Sequence, residues 1–94
     1  MNLSAEQLDM VEEMAGLFFS PEDIAICLEM NELECEKFAE GVTCKATGQL
    51  VVASYLRGWL SGKVMLRKAI KQAALNGSSP SQQQLLNFQK ENRK

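Results

Sequence analysis

Helix-start signals recur along this chain at short intervals, and their spacing restricts it to a series of helices. Ser4 followed by Gln7 forms a capping-box pattern, in which the serine oxygen takes an orphan backbone amide and the glutamine reaches back. Leu8, Val11, Ala15 and Phe18 then recur at helical spacing, predicting a first helix to about Phe18. Ser20-Pro21-Glu22-Asp23 is a second start: a serine cap, a proline where its missing N–H costs nothing, and two acids at the positive end of the dipole. It predicts a helix from Pro21 to about Leu28. Asn31 with Glu34 three residues on opens a third helix, expected to stop near Gly41. A long helix is expected from about Ala46 to Leu75, closed by Asn76-Gly77, and Ser79-Pro80-Ser81-Gln82 is a further capping box with proline in the first turn. At 1.5 Å per residue it would be about 45 Å long, with Gly48, Gly58 and Gly62 as places for a bend or a close helix crossing. A short last helix should run to about Gln89. The fold class is therefore all-α: an N-terminal trihelical unit of the helix-turn-helix kind, then a long helix and a short C-terminal helix.

Ninety-four residues suit one compact domain, read as a trihelical part over 1–45 and a long-helix part over 46–94. No apolar run is long enough to cross a membrane, and the start lacks a basic and then apolar leader, so a cytoplasmic location is expected. Cys27, Cys35 and Cys44 are odd in number and widely spaced, which is no disulfide framework; they read as reduced, mostly buried fillers. The absence of histidine removes a His-based triad and most zinc sites, and no phosphate-cradling glycine loop or clustered ligand set occurs. No catalytic residue, metal or cofactor is expected, and the chain does not read as an enzyme.

The strongest local pattern lies between Ile24 and Phe38. Two short helices crossing steeply need a small residue at the contact and apolar residues at fixed offsets. Ala25 is the small residue, Ile24 and Leu28 point inward, Met30 fills the turn, Asn31 caps, and Cys35 and Phe38 face back. Glu29 stands where a turn glycine is usual. The third helix would then turn Glu32, Glu34, Glu36, Lys37 and Glu40 outward. Carboxylates repel phosphates, which opposes groove reading by residues 32–40.

The net charge of −2 conceals a split: residues 1–47 hold eleven acids and two bases, and residues 48–94 hold eight bases and one acid. Projected at 100° per residue, the long helix places Arg57, Arg67, Lys68 and Lys71 opposite an apolar arc. With Arg93 and Lys94 of the tail, these are the candidate phosphate contacts for duplex DNA. Val52, Leu56, Trp59, Lys63, Leu66, Ile70 and Ala73 follow alternating steps of four and three, the spacing of a helix–helix seam, which Lys63 interrupts; Val52, Leu56, Trp59, Leu66 and Ile70 are its apolar candidates. Leu50–Leu60 is apolar nearly all round, so a second copy of the chain is expected to cover part of it, and Trp59 is expected to be a packed anchor.

This layout resembles the small phage and prophage helix-turn-helix proteins related to terminase small subunits. The resemblance lies in the trihelical start Leu3–Gly41, the run from Tyr55-Leu56-Arg57-Gly58 through Lys68-Ala69-Ile70, and the ending Ala73-Ala74-Leu75-Asn76-Gly77 before a short helix. It implies DNA recognition at the start of genome packaging by a homo-oligomer that hands DNA to a large ATPase subunit. The partners expected are thus self, duplex DNA and a phage packaging or regulatory protein, in the cytoplasm of a bacterial host. The competing expectation is a protein–protein module whose acidic trihelical unit docks a basic partner or a neighbouring subunit without reading DNA.

Overall fold

The computed structural model describes residues 2–77 and 79–91. These residues are all-helical, with no strand among them. The helices are α1 (Ala5–Gly16), α2 (Pro21–Cys27), α3 (Glu32–Cys44), α4 (Leu50–Leu75) and α5 (Ser79–Glu91). The start signals act as written. The Gln7 N–H donates to Ser4 Oγ at 3.1 Å, and the Ser4 N–H to Gln7 Oε1 at 2.8 Å. Ser20 Oγ accepts from the Asp23 N–H at 3.2 Å, and Asn31 and Glu34 satisfy each other's amides at 2.8 and 3.1 Å.

The ends are less legible. α1 stops at Gly16, two residues early, because Phe18 takes a left-handed backbone with φ 66° and cannot continue the helix. α3 runs through Gly41 to Cys44 and is closed by Lys45 at φ 56°. Gly41 is a packing glycine there: a Cβ on it would stand 2.6 Å from Val52 Cγ2. Residues 45–49 form a turn, so α4 begins at Leu50 and not at Ala46. Between α2 and α3 the turn stays tight without glycine. Glu29 itself adopts φ 56°, and the Met30 N–H reaches back to the Ala25 carbonyl at 3.0 Å.

The chain divides into two compact units, residues 1–62 and 63–94, with the boundary inside α4. The reason is the core. Val51, Val52 and Tyr55 of the first turns of α4 are buried with Val11 and Ala15 of α1, Ile24 and Ala25 of α2 and Phe38 of α3. The trihelical part is thus completed by a fourth helix segment. Tyr55 ties it down further, its ring edge-on to Phe38 at 5.7 Å and its hydroxyl donating to the Phe19 carbonyl at 3.1 Å. Burial raises the Tyr55 pKa above its ordinary 10.0, and the nearby Glu22 carboxylate raises it further.

α1 and α4 touch backbone to backbone. A Cβ on Gly58 would fall on the carbonyl group of Glu12, and one on Gly62 on that of Gly16. Only glycine leaves room for this approach, the close crossing that Gly58 and Gly62 suggest in the sequence.

Unit 63–94 holds the rest of α4 and α5. Helix α4 ends at Leu75, with Gly77 at φ 94° as the stop signal requires. The Gln82 side-chain amide donates to the Ala74 carbonyl at 3.0 Å and so satisfies one of the last acceptors of α4.

Candidate interaction surfaces

In the first unit, an aromatic row runs from the α1–α2 connection onto α4. Phe18 meets Trp59 edge-on at 4.7 Å, and Trp59 lies stacked on Tyr55 at 6.3 Å. Tyr55 is buried, yet the row's outer members are open: Leu17 is 66 % exposed, Phe18 39 %, Phe19 41 % and Trp59 39 %. The left-handed backbone at Phe18 brings its ring onto Trp59. Such a conformation at a bulky residue is costly and persists only where packing over-determines it.

The seam residues of this unit are therefore used unequally. Val52 is fully buried in the chain's own core and offers nothing to a second copy. Leu56 packs half-buried against that core. Trp59 packs as an anchor on one side, against Phe18 and Tyr55, and is open on the other. Its inner side is taken up by Tyr55 and Phe18 because the glycine crossing beside it brings α1 close. Arg57 is tied to Glu12, Nε to Oε1 at 2.8 Å.

In the second unit, Lys68 and Lys71 are exposed on α4, as is Lys63, which the sequence reading left out of the basic set. Its position in the seam rhythm concealed it. At 100° per residue Lys63, Arg67, Lys71 and Lys68 span about 140° of the helix. Arg67 is drawn out of that array. Its Nη2 donates to Glu91 Oε2 at 2.9 Å and its guanidinium lies 4.1 Å from the centre of the Phe88 ring. Leu66 is exposed and Ile70 half-buried, and Val64, Met65, Leu75 and Leu86 add further open apolar side chains. Arg93 and Lys94 lie outside the described residues.

On α3, Glu32, Glu36, Lys37 and Glu40 face solvent as expected, while Glu34 is half-buried in its capping box. An open cleft of about 640 Å³ lies between α1, α3 and α4, lined by Leu3, Leu8, Gly41, Cys44, Leu50 and Val51, with Lys37 and Glu40 at its wall. The Cys44 thiol points back to its own helix, donating to the Gly41 carbonyl at 3.8 Å. Cys27 and Cys44 are exposed and only Cys35 is half-buried, which corrects the reading of the cysteines as mostly buried. Both exposed thiols sit at helix ends, where the chain leaves the core.

Among the described residues, no group of three or more His, Cys, Asp or Glu stands placed to hold a metal ion, and no helix is long and apolar enough to cross a membrane. The units differ sharply in charge. Residues 1–62 hold eleven carboxylates and three bases, a balance of −8, and residues 63–94 hold seven bases and one carboxylate, a balance of +6. No family model, curated protein or solved structure matches the chain.

Proposed function

We propose that this chain is a non-catalytic, self-associating DNA adaptor of the phage helix-turn-helix kind that its layout resembles. Its phosphate contacts lie on the second unit. The observation that carries this reading is the set Lys63, Lys68 and Lys71: exposed, on one side of α4, and free of ion pairs among the described residues. Arg57 and Arg67, which are engaged with Glu12 and Glu91, rank behind them. The carboxylates of α3 weigh against groove reading by residues 32–40. Leu66 and Met65, open beside the lysines, supply apolar surface for a contact between copies. Association would repeat a weak lysine contact and multiply it.

The test is a salt titration of binding to random duplex DNA, with light scattering on the same samples. Three phosphate contacts per copy predict a log–log slope of roughly −2 to −3 per copy. The expected mass exceeds the 10.5 kDa of one chain at micromolar concentration. A slope near zero removes the DNA reading, and a monomer at all concentrations removes the adaptor built from repeats.

A second reading, the protein-docking module, is favoured by one observation of its own: the open aromatic row on the acidic unit.

A further inference from the structure

We propose that the row of Leu17, Phe18, Phe19 and Trp59 is a docking surface for a cationic amphipathic helix of a partner protein. This rests on the protein-docking reading and does not require DNA binding. Leu17, Phe18, Phe19 and Trp59, open by two-fifths to two-thirds, together leave on the order of 400 Å² of apolar surface. That is in the range of the largest apolar patch on a typical monomer, which is often a binding surface.

Charge selects the occupant. No lysine or arginine occurs before Lys37, so α1, α2 and the connection that carries Leu17–Phe19 have no positive charge at all. Around the row stand Glu13 at the end of α1 and Glu22 and Asp23 in the first turn of α2, all exposed. Glu22 is close enough to act on Tyr55 beneath the row. Two cations flank Trp59 on α4: Arg57, which is held by Glu12, and Lys63, one helical turn further on. With Glu12, Glu13, Glu22 and Asp23 against Arg57 and Lys63 the rim is net acidic, so it favours apolar anchors flanked by lysine or arginine over acidic ones. The mode of entry follows from the fold. With no strand among the described residues there is no edge for an added strand, so recognition runs through side-chain anchors, as on one face of a helix.

Trp59 is the chain's single tryptophan and stands in the row, so its fluorescence reads occupancy directly. The probes are a lysine–leucine amphipathic helical peptide and a glutamate–leucine peptide of the same apolar pattern, titrated into the full chain. Saturable change with the basic peptide is expected, weaker by roughly tenfold or more with the acidic one. Leu17→Ser should lower the affinity about tenfold with unchanged helical content, because that side chain is two-thirds open. Glu13→Gln with Glu22→Gln should weaken binding, while Glu36→Gln with Glu40→Gln, an equal charge change on α3, should not. Equal binding of both peptides, no binding of the basic one, or equal effects of the two glutamine pairs overturns the proposal. So does conversion of an oligomer to a monomer by Leu17→Ser, which would make the occupant a second copy. DNA binding that persists in Leu17→Ser separates this surface from the lysines of the second unit.

Discussion

Gly58→Ala tests the backbone contact on which the first unit depends. In an open helix the change would stabilise by about 1 kcal/mol, since alanine is the better helix former. Here the new methyl lands on the Glu12 carbonyl group, and both sides of the overlap are backbone. No rotamer change relieves it, so α1 and α4 must separate by roughly 1 Å. Separation loosens what lies on either side of the crossing: the Phe18–Trp59 contact, the Arg57–Glu12 pair and the burial of Val11 and Ala15. Overpacking of this kind costs about 1–3 kcal/mol, and more where neither side yields, so the net loss after the propensity gain is roughly 2 kcal/mol. For a chain of this size that lowers the melting temperature by about 8–16 °C. Circular dichroism melts decide it, with Gly48→Ala as the control. Nothing stands within 4 Å of a Cβ at Gly48, and its φ is not left-handed, so that variant should match or slightly exceed the parent. Gly62→Ala should behave as Gly58→Ala does. If Gly58→Ala and Gly48→Ala melt together, the backbone contact does not exist as described.

Trp59→Ala should cost about 2–3 kcal/mol in chemical denaturation, below the 3–5 of a fully buried ring, because two-fifths of the residue is open; a loss under about 0.5 would show that it is not packed. Glu29→Gly should stabilise by about 0.5–1 kcal/mol in the same assay, glycine's chain-entropy cost being smaller than the strain of φ 56° it relieves; destabilisation would mean that the left-handed turn is not native. Tyr55 should ionise, by its ultraviolet difference spectrum, above the ordinary 10.0. A neutral form favoured by folding gives stability that is full below pH 10 and is lost as pH rises through the folded-state value, and an unshifted ionisation refutes that burial.

The starts of α1, α2 and α3 were legible because a cap is a local bargain among three or four neighbouring residues. Their ends were not, and each miss has a tertiary cause. Gly41 reads as a stop, yet it is spent on admitting Val52, so α3 continues. Phe18 fits the period of α1, yet Trp59, some forty residues on, holds its ring outside the helix. The same limit applies to the surfaces. Basic residues could be read from the helical projection, but not that Glu12 and Glu91 would engage Arg57 and Arg67. The aromatic row did leave a trace: three large apolar residues, Leu17-Phe18-Phe19, standing directly before a serine cap where a connection should be polar.

The division of charge between the units turns the DNA reading into a prediction about position. A phosphate backbone approaching residues 1–62 meets a balance of −8, and approaching residues 63–94 a balance of +6, so only the second unit attracts it at distances within the Debye length of about 10 Å. Within that unit, Arg67 must give up Glu91 and its place on Phe88 before it serves a phosphate, whereas Lys68 and Lys71 surrender only water. An exposed ion pair is worth about 0–1 kcal/mol, so the penalty on Arg67 is small but has a fixed direction. Lys68→Glu with Lys71→Glu should therefore reduce duplex affinity more than Arg57→Glu with Arg67→Glu and should flatten the salt slope by about 2 per copy, at equal helical content. Glu36→Gln with Glu40→Gln on α3 should leave binding equal or tighter, by removing repulsion without adding bulk. If the arginine pair dominates, the salt bridges to Glu12 and Glu91 open on binding. If the α3 pair abolishes binding, that helix contacts DNA through its carboxylates, and the second unit is the wrong surface.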